Sequence, residues 1–288
     1  MKTSLSPRDL AHAIGVSESS IKRWTDDGLI EATRTAGGHR RIPIPEAIRF
    51  IRQTGTEVAR PQLLGLEELP TASAANGDEP VDDQLFHYLY SGQANQAKGQ
   101  LVSLYLEGQS IAQIIDGPVK RAMDRIGELW QHAETGVYVE HRATEIITQG
   151  IHLLRSLLPE PSSDAMAAIG GTPSGDPYMI PSLAVATLLK AAGFQAINLG
   201  PDTPASALIE AVKDVDPKLV WISISFFEED QHVTRELAIL NQELAARGTL
   251  LLIGGAKSDR ITLPTAPNVF HGQSMGELAA FARGVALP

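Results

Sequence analysis

Two sets of residues in this chain have types and spacings that suit chemistry. The first is polar and basic: Ser19, Ser20, Lys22 and Arg23 in one short stretch, and His39, Arg40 and Arg41 in another. Such groups suit a polyanion, because each cation can pair with a phosphate while each hydroxyl donates or accepts at a base edge. The second set is scattered: Trp130 and, after nine residues, Glu140-His141; then Asp176 and Tyr178, Ser223 and Ser225, and Gly254-Gly255. A flat indole can cover a nucleoside by stacking, a carboxylate can accept from ribose hydroxyls, and paired glycines let the backbone approach a bulky group. The chain has no cysteine, which excludes disulfides, thiolate metal sites, iron–sulfur clusters and cysteine nucleophiles. No Ser/His/Asp triad, P-loop or His-x-x-x-His spacing stands out, so the expectation is a protein that is not an enzyme.

The elements that must position the first set lie at the N-terminus. Ser6-Pro7-Arg8-Asp9 reads as a helix start, with Ser6 as cap and Pro7 at the first helical position. Gly15-Val16 breaks the chain and Ser17 starts a second helix, which turns Ile21 and Trp24 inward and Ser19, Ser20, Lys22 and Arg23 outward until Gly28 ends it. Two short helices joined by a glycine turn make a helix-turn-helix. Ala36-Gly37-Gly38 lies between short extended runs and reads as a hairpin turn carrying His39-Arg40-Arg41 on its return strand, the pattern of a wing. A third helix is expected from Pro45 to about Gln53, with Ala47, Ile48 and Ile51 inward.

Residues 55–82 hold Pro61, Pro70, Pro80 and a polar small-residue run, and read as a flexible linker. From 83 to 160 apolar residues recur at helical spacing, as at Met123, Ile126, Leu129 and Trp130 and again at Ile146, Ile147, Ile151 and Leu154, which predicts a four-helix bundle. From 161 to 288 short apolar runs alternate with helices: Met166 to Ile169, Ala196 to Leu199, Leu219 to Ser223, Leu250 to Ile253, and Val269 to Phe270. That predicts a flavodoxin-like, five-stranded parallel sheet. The fold class is therefore multidomain: residues 1–54 form a winged helix-turn-helix, followed by linker, bundle and sheet. Ligands of such sheets lie at the carboxyl ends of the strands, which directs attention to the loops Gly171 to Pro181, Gly200 to Pro204, Ser223 to Asp230, Gly254 to Asp259 and Gly272 to Gly276.

Charge divides the same way. The 288 residues are 43% apolar and 20% charged, an ordinary globular composition, with a net charge of −10. The first sixty residues carry ten Lys/Arg against seven Asp/Glu, a balance of +3, which leaves −13 for the other 228. A small basic module is thus expected to meet double-stranded DNA, and an acidic body to stay off it. No apolar leader and no run of about 18 apolar residues occurs, so a cytoplasmic protein with no membrane partner is expected.

Leu10-Ala11, Ile14-Gly15-Val16-Ser17, Ile21-Lys22-Arg23-Trp24, Gly28-Leu29-Ile30 and Gly37-Gly38-His39-Arg40-Arg41-Ile42, in this order and spacing, resemble the winged-helix domain of MerR-type transcription regulators. Trp130-x9-Glu140-His141 resembles the motif of the cobalamin-dependent, light-sensing MerR regulators of the CarH type. There the Trp packs over the adenosyl group and the Glu and His line the same pocket. The family's sheet signature is Asp-x-His-x-x-Gly after the first strand, Ser-x-Leu after the third and Gly-Gly after the fourth. This chain keeps Asp176 and Gly254-Gly255, but it has Tyr178 for the cobalt-ligating His, Pro181 for the Gly, and Ser223-Ile224-Ser225 with Ser in place of Leu. A neutral phenol is a poor cobalt ligand, so no metal ligand is assigned. The photoreceptor members place a further His directly after the Trp; here Gln131 stands there, and His132 is rotated by about 100° along a helix.

The resemblance implies a DNA-binding regulator, expected to be a repressor, that senses adenosylcobalamin or another corrinoid, with light as one input, through a change in oligomeric state. Self-association to a dimer or tetramer is expected because one small module buries little DNA surface. Two alternatives stay open: the same regulator with no cofactor, whose sheet domain controls oligomerisation or binds an antagonist protein or other ligand, and a corrinoid methyl carrier.

Overall fold

The computed structural model describes residues 3–66, 81–130 and 136–286, the side chains of Val81, Asp82 and Trp130 excepted. Residues 67–80 of the expected linker, together with Gln131 and His132, lie outside the described residues. The chain forms two compact units, Met1–Pro159 and Glu160–Pro288.

The first unit opens with β1 (Ser4–Leu5), α1 (Pro7–Ala13) and α2 (Glu18–Asp26). Ser6 and Asp9 form a reciprocal capping box on α1, which satisfies two N–H groups that the helix itself cannot. Ser17 caps α2 through the N–H of Ser20. The chain reverses at Gly15, whose φ of +71° is open to glycine at no steric cost. Next come β2 (Thr33–Arg34), β3 (Arg40–Pro43) and α3 (Ile44–Thr54), and β3 pairs antiparallel with both β1 and β2. Trp24 of α2 lies against Phe50 of α3 with ring centroids 5.1 Å apart, and Ile21, Ile30, Ile42, Ile48 and Ile51 are buried around them.

The expected linker is partly packed. Leu64 and Leu66 are buried, the N–H of Arg60 donates to the carbonyl of Ala13, and the single turn Pro61–Leu64 lies on α1. The two leucines override the proline-rich composition on which the linker expectation for 55–66 rested, because apolar surface with a face to cover does not stay in water.

The rest of the unit is helical: α4 (Val81–Ser91), α5 (Ala94–Leu106), α6 (Ile111–Ile114), α7 (Lys120–Trp130) and α8 (Gly136–Leu157). A wide turn at Ile115–Val119 joins α6 to α7, because Gly117 leaves helical geometry and Pro118 has no N–H to give. α8 packs on α5 and α7. At Gly150 it comes so near α5 that an added Cβ would sit 2.7 Å from a methyl of Leu101. Arg52 ties α3 to these helices. Its guanidinium stacks 3.7 Å from the Tyr105 ring centroid and donates to the carbonyls of Gln109 and Gly108 just beyond α5.

The second unit is a parallel α/β sheet of β4 (Ala167–Gly171), β5 (Gln195–Gly200), β6 (Leu219–Ser223), β7 (Leu250–Gly254) and β8 (Val269–His271), in the order β5-β4-β6-β7-β8. The helices are α9 (Met179–Ala191), α10 (Ala205–Val215), α11 (Asp230–Arg247) and α12 (Met275–Ala286). Alternation along the strands sends Ile169, Val220, Ile222, Leu251 and Ile253 to one face, where Leu208, Val212, Val233, Leu237, Leu240 and Leu244 of α10 and α11 cover them. The opposite face carries a row in register, Gly170, Trp221, Leu252 and Phe270. Trp221 is fully buried, and its indole N–H donates to Ser182 of α9 at 3.0 Å.

Two substitutions test this packing. Arg52→Ala should lower the unfolding free energy of the first unit by about 1–2 kcal/mol, from the lost stacking and two hydrogen bonds. Gly170→Ala should cost more than about 3 kcal/mol in the second unit, because the new Cβ would lie 2.2 Å from the Trp221 carbonyl oxygen and 2.4 Å from its ring. Urea unfolding followed by circular dichroism reads both, and an unchanged midpoint would refute the assignment.

Candidate functional site

The basic set divides by partner. Ser19 and Ser20 lie in the first turn of α2, each hydroxyl 2.8 Å from the capping hydroxyl of Ser17. Lys22 is paired with Glu18 at 2.8 Å, an exposed bridge one helical turn long, and Arg40 is paired with Asp26, which ties the hairpin to α2. Arg23 and Arg41 are exposed, and their side chains have no ion-pair or hydrogen-bond partner among the described residues. His39 is exposed beside the tip, where Gly38 has φ +78° and the N–H of His39 donates to Thr35 Oγ1. Exposed ion pairs contribute about 0–1 kcal/mol, so Lys22 and Arg40 can exchange their carboxylates for phosphates at small cost, while Arg23 and Arg41 need no exchange.

In the helical part, Trp130 ends α7 and Glu140 and His141 lie in the first two turns of α8, on either side of residues 131–135. Glu140 accepts from Thr144 Oγ1 at 3.0 Å and stands 3.5 Å from the imidazole of His141, which is largely exposed. One carboxylate oxygen is thus held from within the helix, and the residue is oriented before any ligand arrives.

The scattered residues of the sheet unit converge on the carboxyl ends of β4, β6 and β7. Asp176 is fully buried and acts as a clasp: Oδ1 accepts from the N–H of Tyr178 at 3.0 Å, and Oδ2 accepts from the N–H groups of Ser225 and Phe226 at 2.6 and 3.0 Å. Burial pushes its carboxyl above the ordinary carboxylate range, against the pull of these three donors. Glu236 makes a second clasp, accepting from Ser174 Oγ at 2.7 Å and from the N–H of Ala205. Tyr178 caps α9 and is 49% exposed, so its phenol reaches outward. Ser223 is buried. The Ser225 hydroxyl is also buried, and has no hydrogen-bond partner among the described residues.

Gly254 and Gly255 serve neighbouring strands. A Cβ at Gly254 would meet the Gly272 carbonyl at 2.9 Å, and one at Gly255, where φ is +103°, would meet the backbone of Ile224 at 2.3–2.7 Å. At both positions the space of the missing side chain is taken by neighbouring backbone.

Beside the Asp176 clasp, Phe226, Phe227, Glu228, Glu229, Asp230, Gln231, Lys257 and Arg260 line a cavity of about 740 Å³. It offers two aromatic rings, carboxylates and two cations, which suits a ligand with a hydrophobic body and a rim of amides. The strand-end rule pointed to loops that contain most of this lining. Trp221 and Ser182 went unread, although Trp221 is the one aromatic in its apolar run.

A family model described as MerR family regulatory protein matches residues 6–42, and one described as B12 binding domain matches residues 81–155. The chain joins a MerR regulatory domain to a B12 binding domain. It is similar to the dimethylamine corrinoid protein 1 of Methanosarcina acetivorans, 25% identical over 147 residues that cover 50% of this chain and 69% of that one. It is similar in the same degree to the dimethylamine corrinoid protein of Methanosarcina barkeri, 26% identical with the same coverage. Its fold is shared with the structure of the Methanosarcina barkeri monomethylamine corrinoid protein, at a TM-score of 0.56 and 20% identity over 71% of this chain and 98% of that one. No helix among the described residues is long and apolar enough to cross a membrane.

A corrinoid fits these residues in part. The cavity and the orphaned Ser225 hydroxyl offer polar partners within the sheet unit. The position of the expected cobalt-ligating imidazole holds the phenol of Tyr178 instead, and that residue does not fit the role.

Asp176→Asn should cost about 1–3 kcal/mol, because an amide brings its own N–H donors against backbone donors. Hydrogen exchange should quicken at the Ser225 and Phe226 amides; unchanged protection there would rule out the clasp.

Proposed function

We propose that this protein is a DNA-binding transcription regulator whose C-terminal module senses a corrinoid. The observation that carries the reading is the union in one chain of a MerR regulatory domain, bearing exposed and unpartnered Arg23 and Arg41, with a B12 binding domain. The N-terminal elements act as a winged helix-turn-helix on double-stranded DNA, with α2 presenting Ser19, Ser20, Lys22 and Arg23 to the major groove and His39, Arg40 and Arg41 of the hairpin on phosphates or the minor groove. The helical part, α4 to α8, and the sheet unit both serve in holding adenosylcobalamin or another corrinoid. The Trp130-x9-Glu140-His141 pattern, which resembles that of the cobalamin-dependent regulators, supports a part for these residues in holding the ligand. The protein works as a cytoplasmic repressor, its dimer or tetramer shifted by the ligand and by light. It carries out no catalysis.

Tyr178 favours a second reading, in which the same regulator takes no corrinoid and its sheet unit answers an antagonist protein or another ligand.

Two measurements test the proposal. With a duplex selected from a random pool, Arg23→Ala and Arg41→Ala should each weaken binding about tenfold and reduce the salt slope by about 1. An unaltered affinity would refute the assignment of the DNA face. Purified protein incubated in the dark with adenosylcobalamin and freed of excess should keep the corrinoid absorption band, and its size on chromatography should change after green light. A protein that keeps no corrinoid leaves the second reading standing.

A further inference from the structure

The sheet unit's two faces decide how a corrinoid can sit on it. A nucleotide tail leaving the carboxyl edge of a doubly wound sheet has two routes inward: between the strands and α9 with α12, or between the strands and α10 with α11. On the first face Trp221 is in the way. Its indole is fully buried and lies against Gly170 so closely that not even a Cβ fits there. Its N–H donates to Ser182 Oγ, which donates in turn to Asn198 Oδ1 at 2.7 Å, and Asn198 Oδ1 also accepts the N–H of Gly200. This string holds the indole in place, and Ser182 is itself fully buried; the Ser225 hydroxyl, just beyond the end of the same strand, has no partner among the described residues. On the second face Ile169, Val220, Ile222 and Ile224 meet α10 and α11 in a continuous apolar core. A heterocyclic base with its ribose and phosphate would have to displace close-packed side chains there and leave its charge without partners. At the strand ends, Gly254 and Gly255 are filled by the backbones of Gly272 and Ile224.

We infer that this protein takes a corrinoid with the nucleotide tail left outside the sheet, so that the ligand's own base, and no protein side chain, occupies the lower axial position of cobalt. Trp221 is the residue that sets this specificity, and Tyr178, exposed at the start of α9, supplies no substitute. The inference rests on the corrinoid reading above. A direct consequence concerns ligand choice. Because the tail makes no buried contact, cobinamide, which lacks the tail, binds within about threefold of cobalamin, whereas a protein that inserts the tail would lose about a hundredfold or more.

The test uses the full chain, labelled uniformly with the heavy nitrogen isotope and loaded with unlabelled cob(II)alamin. Electron paramagnetic resonance then reports which nitrogen lies below the metal. The expected result is a triplet splitting, from the light nitrogen of the ligand's own base, together with cobinamide competing within about threefold. A doublet would come from a protein nitrogen and overturn the inference. Absence of nitrogen splitting, or a large loss of affinity with cobinamide, would overturn it too. If neither cob(II)alamin nor cobinamide is retained, the corrinoid reading itself fails, an outcome separate from the other three.

Discussion

Residue 170 has no side chain, and the middle of the sheet unit depends on it. Trp221 pairs with Gly170 across β4 and β6, and its ring occupies the space that any Cβ at 170 would claim. The largest side chain of the strand therefore lies over the smallest residue of its neighbour, which keeps α9 close to the sheet and lets the indole N–H reach Ser182. Interiors reach crystal-like density through such pairing of large against small. The position is constrained on both sides: the indole needs the glycine for room and Ser182 for its donor, since a buried N–H without a partner is costly.

The carboxyl edge follows from that packing. With the strands held in register, the loops after β4 and β6 approach closely enough for one carboxylate, Asp176, to accept from both. Glu236 repeats the device between the loop after β4 and the start of α10. Two buried or half-buried acids thus satisfy backbone donors that have no strand to pair with, and the cavity lined by Phe226, Lys257 and Arg260 opens beside them. The edge is preorganised by hydrogen bonds that a ligand need not supply.

Much of this was legible in the sequence. Short apolar runs placed all five parallel strands within a residue or two, because the central strands β4, β6 and β7 are buried on both faces and admit few polar residues. The caps at Ser6 and Ser17 were legible because an N-cap hydroxyl has one mechanical job. Asp176 stood out in the sequence as a candidate, but its role as a clasp did not, since two of its three donors come from Ser225 and Phe226, some fifty positions away. Trp221 was hidden for a related reason: an aromatic in an apolar strand reads as ordinary core, and only the register against Gly170 shows which space it fills. The packed part of 55–66 was missed because composition favoured a linker, while burial of Leu64 and Leu66 depends on a face of α1 that no local pattern reveals.

The first unit offers a physical argument about how its two halves communicate. α3 belongs to the N-terminal elements by its contact between Phe50 and Trp24 of α2, and to the helical part by the clasp of Arg52 on Tyr105 and the carbonyls after α5. α5 is in turn locked to α8 where Leu101 meets the backbone at Gly150, and α8 carries Glu140 and His141 two to three turns earlier. A displacement at Glu140 has rigid helix and close-packed side chains along this route, and no step of it passes through residues 67–80. Close-packed interfaces of this kind change by switching between discrete arrangements, not by stretching. The Arg52 clasp, built from one stacked cation and two carbonyls, holds its place on that route by polar and cation–π contacts, where the steps at Trp24–Phe50 and Leu101–Gly150 are held by apolar packing.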